Sequence, residues 1–170
     1  IPTPAIAYLV RTHHYDAGVM ISASHNSFEH NGIKYFSKEG YKLSDAIEER
    51  IEAIILDHAE EIACPTHEKI GHISRADYLV RDYIEFAKST VDCRLDGLRV
   101  AIDCANGASS VTARDTLEEL GAKVVVLHDQ PNGININDGC GSTHMESLME
   151  FVRKDGNFDA GLAFDGDADR

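Results

Sequence analysis

The sequence is poor in positive charge. It contains 16 lysine and arginine residues against 29 aspartate and glutamate residues, a formal net charge of −13. Nucleic acid and anionic membrane surfaces would repel so acidic a chain, so we expect neither as a partner. An anionic substrate would need a local positive site or a bound cation.

Long apolar runs and closely spaced cysteines are also lacking. No stretch approaches the roughly 20 apolar residues that a membrane-spanning helix needs, and we find no signal-peptide pattern. No C-x-x-C pair occurs, which disfavours a zinc site or a disulfide framework and predicts reduced thiols in a cytoplasmic protein. The four cysteines are Cys64, Cys93, Cys104 and Cys140.

The chain nevertheless has enough apolar residues to fold. Its 170 residues are 43% hydrophobic and 26% charged, which suits one domain or two small ones. The chain starts at Ile1 rather than Met and stops within the motif FDGDADR, so we expect a fragment of a longer protein. A polar stretch at 91–97 predicts a boundary between two domains, 1–94 and 95–170.

Hydrophobic periodicity predicts an α/β fold. In the first half, Thr3 is the expected N-cap of a short helix. The other elements predicted there are a buried strand at 17–22, a strand at 33–37, a helix from Ser44 to about 58 and a helix from Ser74. An isoleucine stripe on the Ser44 helix is expected to face the core.

In the second half, strands and helices alternate with short links, which predicts a parallel βαβ arrangement. The predicted elements are buried strands at 98–103 and 159–164, a strand at 123–128, and helices at 111–120 and 143–154.

Three carboxylates alternate directly after the last predicted strand, at Asp165, Asp167 and Asp169. Ligands of open α/β sheets bind beyond the carboxyl ends of strands, and oxygen ligands suit Mg²⁺, Mn²⁺ or Ca²⁺. Arg170 stands where an EF-hand requires glycine, and it offers a fork for a phosphate instead. Two other interpretations stay open: a solvated acidic turn, and a phosphatase with Asp165 as nucleophile and Asp167 as acid/base.

A serine-containing loop follows the first predicted strand, with Ser24 and His25 adjacent. It could cap local backbone groups, form a Ser–His hydrolytic pair or carry a phosphoserine. Adjacent residues of an extended strand face opposite sides, which disfavours the direct Ser–His relay, and a G-x-S-x-G elbow is missing. A serine-borne phosphate, a metal, Arg170 and Lys34 together would suit phosphoryl transfer.

These motifs resemble those of the α-D-phosphohexomutase family. The segment GVMISASHNSFEHNGIK (18–34) resembles its active-serine loop, and DGDADR (165–170) resembles its metal-binding loop. The segments PTPA (2–5), DCANGA (103–108) and NIN with GCGSTH (135–144) are most similar to the bacterial phosphoglucosamine mutase branch. Serine at position 27 and histidine at 30 depart from the usual proline and acidic residue.

The resemblance implies two three-layer α/β/α domains with mixed, mostly parallel sheets, taken from a four-domain protein. It implies that Ser24 is phosphorylated and that Arg170 contacts the phosphoryl group, while His25 and Lys34 assist proton transfer. One Mg²⁺ would be held by the Ser24 phosphate with Asp165, Asp167 and Asp169.

The implied reaction converts glucosamine 6-phosphate to glucosamine 1-phosphate through a bisphosphorylated sugar, with hexose 1,6-bisphosphate as activator. The product would feed UDP-N-acetylglucosamine and cell-wall synthesis in the cytoplasm. Without domains 3 and 4 the isolated fragment is expected to be inactive, and a homodimer is one option for the whole protein. Other phosphohexomutases, an aspartate-nucleophile phosphatase and a non-catalytic sugar-phosphate-binding protein remain as alternatives.

Overall fold

The computed structural model describes residues 1–60 and 62–170 in full and the backbone of residue 61. The α-helices are α1 (Thr3–Thr12), α2 (Asp45–Asp57), α3 (Leu79–Ser89), α4 (Ala113–Glu119) and α5 (Glu146–Asp155). The strands are β1 (Ala17–Ser22), β2 (Gly32–Ser37), β3 (Arg99–Asp103), β4 (Lys123–Leu127) and β5 (Ala160–Ala163). Short 3₁₀ turns lie at Ala59–Glu61, His67–Lys69 and Ala108–Val111.

The first half is built on an antiparallel hairpin of β1 and β2. Helix α1 lies so close to one face of β1 that a Cβ on Gly18 would stand 2.5 Å from the side chain of Val10. In the hairpin register Ser22 faces Gly32 and Met20 faces Lys34. The hairpin therefore brings the start of the serine loop and Lys34 to the same end of the sheet.

The second half is a three-stranded, fully parallel sheet in the order β4-β3-β5, as the alternation of strands and helices predicts. Its core contains Val100, Ile102, Cys104, Ala113 and Ala122. Because the strands are parallel, their carboxyl ends share one edge, and Asp103 and the aspartate loop lie at that edge. The predicted α/β class is confirmed.

Several predicted boundaries are wrong. Helix α1 has Pro2 as its N-cap residue, because Thr3 is already helical and its hydroxyl donates to Asp167. Helix α3 starts at Leu79 rather than Ser74. The apolar residues whose spacing predicted a helix all lie within its observed bounds. The helix predicted over 111–120 is a 3₁₀ turn followed by a short α4, and α5 starts at Glu146.

The prediction of burial also fails for some elements. Val19 and Ile21 of β1 are 49% and 69% exposed, because α1 covers the opposite face of the strand. Leu162 of the edge strand β5 is 41% exposed. Helix α2, whose residues are all described, has no buried side chain. Periodicity identifies an apolar face but not an element that covers it.

Helix α3 connects the two halves. Phe86 stacks on Tyr8 of α1 with ring centroids 4.0 Å apart, and Lys88 donates to Glu119 of α4 at 2.5 Å. The domain boundary after residue 94 stays a prediction. No helix in the described part of the chain has both the length and the apolar character needed to cross a membrane.

Candidate active site

The serine loop turns sharply after β1. Ser24 has a left-handed backbone, with φ of 53°, and its N–H donates to Ser22 Oγ at 2.8 Å. Ser24 Oγ lies 3.4 Å from Nδ1 of His25. The expectation that these adjacent side chains diverge is wrong, since it assumed an extended backbone that Ser24 does not have.

The three carboxylates of the aspartate loop converge, with oxygens within 4.8 Å of one another. Asp165 and Asp167 are buried. Asp165 Oδ2 and Asp167 Oδ1 have no hydrogen-bond donor among the described residues. Burial raises the pKa of Asp165, and the charges of Asp167 and Asp169 raise it further. Buried, unpartnered carboxylate oxygens so close together fit a hard divalent cation such as Mg²⁺.

Lys34 partly offsets this negative charge. Its Nζ donates to Asp167 Oδ2 at 2.6 Å and to Asp169 Oδ2 at 3.0 Å. Burial would lower the pKa of Lys34, but these hydrogen bonds outweigh it and raise the pKa. Lys34 is therefore a cation that bridges two aspartates beside the serine loop.

Asp167 receives a further hydrogen bond from outside the predicted site. Thr3 Oγ1 donates to Asp167 Oδ2 at 2.5 Å, and the Thr3 N–H donates to the Asp167 carbonyl at 2.9 Å. Burial would raise the pKa of Asp167, but hydrogen bonds from Lys34, Thr3 and Ser24 lower it. The first residues of α1 thus hold the aspartate loop, a role that we missed by interpreting Thr3 as an N-cap.

Arg170 lies at the edge of the cluster. Its Nε is 4.0 Å from Asp165 Oδ2 and 3.9 Å from Asp169 Oδ1, and its side chain is 58% exposed. The backbone N–H groups of Asp169 and Arg170 donate to Asp165 Oδ1 and shape the loop. The guanidinium remains accessible to an anion that approaches from solvent.

The serine and aspartate loops are in close contact. A Cβ on Gly166 would lie 2.5 Å from the carbonyl oxygen of Ser24, and Gly166 O accepts a hydrogen bond from Ala108 N–H at 2.8 Å. Glycine is therefore required between the first two aspartates. The structure brings all the predicted site residues together: Ser24, His25, Lys34, Asp165, Asp167, Asp169 and Arg170.

A second polar cluster joins Asp103, His128 and Cys140 at the same sheet edge. Asp103 accepts hydrogen bonds from the N–H groups of Ala105 and Gly141, each at 2.9 Å, and lies 3.0 Å from His128 Nδ1. Burial raises the pKa of Cys140 to about 11, which leaves a neutral thiol. Since both Asp103 oxygens hold backbone amides, this cluster ties the turn after β3 to residues 139–141.

Comparison with known proteins identifies the family. Residues 1–61 match the model of the phosphoglucomutase/phosphomannomutase alpha/beta/alpha domain I, and residues 81–170 match that of domain II. The chain belongs to the phosphoglucomutase/phosphomannomutase family. The resemblance to the α-D-phosphohexomutases that the two loop motifs predicted is confirmed.

Curated relatives in this family are much longer than the chain. It is 57% identical over 170 residues to a phosphoglucosamine mutase of Clostridium novyi strain NT, covering all of the chain and 38% of the relative. It is 59% identical over 169 residues to a phosphoglucosamine mutase of Acetivibrio thermocellus, covering 99% of the chain and 37% of the relative. The chain thus spans less than two fifths of these family members.

Solved structures show the same fold. A Thermus thermophilus protein assigned provisionally to the phosphomannomutases matches with a TM-score of 0.78 at 22% identity, over all of this chain and 39% of its own. A phosphoglucomutase/phosphomannomutase family protein of Burkholderia thailandensis matches with a TM-score of 0.68 at 24% identity, over 98% of this chain and 37% of its own. At these identities the likeness is one of fold.

Proposed function

We propose that the whole protein is a phosphoglucosamine mutase, which interconverts glucosamine 6-phosphate and glucosamine 1-phosphate. The observation that carries this proposal is the meeting of a serine hydroxyl, a lysine and three carboxylates at one point. The names of relatives that are 57% and 59% identical support the choice of sugar. Further domains of the whole protein would select the sugar. We also propose that the whole protein lies in the cytoplasm and forms a homodimer.

The aspartate loop would hold one Mg²⁺. Asp165, Asp167 and Asp169, with a phosphate on Ser24, would supply its protein oxygens, and the buried carboxylate oxygens without donors support this role. A bound Mg²⁺ would supply positive charge next to the phosphoryl oxygens. Removal of divalent ions should therefore abolish turnover.

Ser24 would donate and recover the phosphoryl group. In the first transfer the bond from Ser24 Oγ to phosphorus breaks and the sugar 1-hydroxyl forms a new bond to phosphorus. The proton that the 1-hydroxyl releases is taken up by Ser24 Oγ. In the second, Ser24 Oγ forms a bond to the phosphorus on the 6-oxygen and releases its proton. The bond between that phosphorus and the 6-oxygen breaks, and the 6-oxygen takes up the proton. A hexose 1,6-bisphosphate can therefore phosphorylate the enzyme and activate it.

His25, Lys34 and Arg170 would assist these transfers. His25 Nδ1, 3.4 Å from Ser24 Oγ, lies where a proton can be exchanged with that oxygen. Lys34 supplies positive charge and a proton donor beside the same loop. The exposed guanidinium of Arg170 suits the phosphoryl oxygens, and it provides local positive charge that an acidic chain needs for an anionic substrate.

The test is a pair of serine variants in the intact protein, assayed with glucosamine 6-phosphate and Mg²⁺. We expect Ser24→Ala to lower kcat by ~10³-fold or more, because the nucleophile is lost. The matched control is Ser27→Ala in the same loop, since the Ser27 hydroxyl donates to Glu29 and should be dispensable.

The same assay separates the alternatives. An aspartate-nucleophile phosphatase would release inorganic phosphate and keep its activity in Ser24→Ala. A binding protein would bind the sugar phosphate without isomerising it. A different phosphohexomutase would show a higher kcat/KM for glucose or mannose phosphates than for glucosamine 6-phosphate.

A further inference from the structure

Asn137, in the long segment between β4 and α5, contacts the serine loop from the other half of the chain. It is buried, with 7% of its surface exposed, and has a left-handed backbone with φ of 57°. Its N–H donates to the carbonyl of Ala105 at 2.9 Å. Asn137 is thus anchored to the turn that follows β3, in the centre of the parallel sheet.

The side chain of Asn137 holds two carbonyls of the serine loop. Nδ2 donates to the carbonyl oxygen of Ser24 at 2.9 Å and to that of Asn26 at 2.8 Å. Its Oδ1 is buried and has no hydrogen-bond donor within the described part of the chain. A flipped amide would place Oδ1 against both carbonyl oxygens, so the contact is specific to a double donor.

Ser24 needs such a contact because its conformation is strained. A left-handed backbone is unfavourable for a residue other than glycine unless the surroundings hold it. The bond to the Ser24 carbonyl fixes the peptide that leaves Ser24, and the bond to Asn26 fixes the turn after it. Together they determine where the Ser24 side chain points.

Asn137 also lies against the aspartate loop. A Cβ on Gly166 would stand 2.7 Å from Asn137 Nδ2 and 2.5 Å from the Ser24 carbonyl oxygen. The amide therefore occupies the junction at which the serine loop meets the aspartates.

We propose that Asn137 is a positioning residue for phosphoryl transfer, one that holds Ser24 in its left-handed conformation with its oxygen directed at the carboxylates. This inference rests on the proposed function. Because Asn137 is buried beneath the loop, its loss should lower kcat and leave KM for the sugar phosphate nearly unchanged.

The test compares Asn137→Asp with Asn135→Asp in the intact protein. Aspartate keeps the size of asparagine and its tolerance of a left-handed backbone, but it replaces the double donor with an acceptor. Asn135 is the matched control, since its amide donates to Gln130 within its own segment. Asn137→Gly removes the side chain without adding charge. This second variant tests the same inference if Asn137→Asp does not fold.

The readouts are kcat and KM for glucosamine 6-phosphate, and the rate at which glucose 1,6-bisphosphate phosphorylates Ser24. We expect Asn137→Asp and Asn137→Gly to lower kcat and the phosphorylation rate by ~10–100-fold, as the loss of two hydrogen bonds implies, with KM within ~3-fold of wild type. Asn135→Asp should stay within ~3-fold of wild type in all three. Thermal unfolding identifies any variant that is not folded.

Two results would overturn the inference. If wild type turns over and the folded Asn137 variants phosphorylate Ser24 as fast as Asn135→Asp, the positioning role fails while the proposed function stands. If wild type itself neither turns over nor accepts phosphate, the proposed function fails and the inference fails with it.

Discussion

At the scale of single residues, Asp167 is a charged carboxylate in a buried position. Its side chain is fully buried, and Lys34 and Thr3 both donate to its Oδ2. A buried carboxylate that loses a donor keeps the full cost of its desolvation, so each of these contacts should matter to stability.

Removal of the Thr3 hydroxyl tests this dependence. We expect Thr3→Val to lower the free energy of unfolding by ~1–3 kcal/mol, because a charged buried acceptor loses a donor. Thr12→Val is the matched control at the other end of α1, where the hydroxyl donates to the Tyr8 carbonyl at an exposed site. Urea denaturation of both variants measures the free energy of unfolding. If the two variants lose equal amounts, the hydrogen bond from Thr3 to Asp167 contributes no more to stability than an exposed one.

The residues that converge at the candidate site lie in motifs that the sequence reveals, whereas the residues that hold them in place do not. Ser24, Lys34 and the aspartates lie in short motifs whose residue types suit phosphate and metal. Thr3 and Asn137 act across 164 and 113 residues of sequence. No local pattern distinguishes such a threonine from an N-cap or such an asparagine from a turn residue.

At the scale of elements, α3 and α4 are joined by an ion-pair network that bridges the two halves. Arg81 Nη2 and Lys88 Nζ donate to Glu119 Oε2 at 2.6 and 2.5 Å, and both cations also pair with Glu85. Hydrogen bonds from Arg81 and then Lys88 lower the pKa of Glu119 to about 2.

The depressed pKa predicts a pH dependence of stability. Because the folded chain binds the Glu119 proton less tightly than the unfolded chain, the contribution is complete above the ordinary glutamate pKa. It is lost as pH falls from about 5 towards 2. Wild type should therefore lose more stability over this range than Glu119→Gln, and salt should reduce the difference.

The control is Glu118→Gln, which neutralises an exposed carboxylate on the same helix. Urea unfolding at several pH values between 6 and 2.5 provides the comparison (about one midpoint per half unit of pH suffices to define the slope). If wild type and Glu119→Gln lose stability in parallel, the network does not contribute through Glu119.

Elements were easier to predict than their burial. Strand–helix alternation was enough for the parallel sheet, because short links between strands and helices leave few other topologies. The exposure of β1, β5 and the isoleucine face of α2 was not predictable. It depends on which elements pack against each face, and periodicity does not specify them. The start of α3 was misplaced because serine is a common N-cap residue, but Ser74 does not cap this helix, whose N-cap position is Tyr78.

At the scale of the whole molecule, the site is assembled from both halves of the chain. The serine loop and Lys34 come from the β1–β2 hairpin, and the aspartates follow β5. Two cations of this acidic chain, Lys34 and Arg170, lie beside the three carboxylates. In the proposed mutase, these two cations would attract a phosphorylated sugar to a chain segment with a net charge of −13.

The measurement that most directly tests the central claim is the phosphorylation state of Ser24. Intact mass and peptide mapping of the purified whole protein, before and after incubation with glucose 1,6-bisphosphate and Mg²⁺, report it without reference to turnover. We predict one phosphate, located on the peptide that contains Ser24. A serine that stays unmodified under both conditions would contradict the phosphoserine mechanism and favour Asp165 as the nucleophile or a binding role.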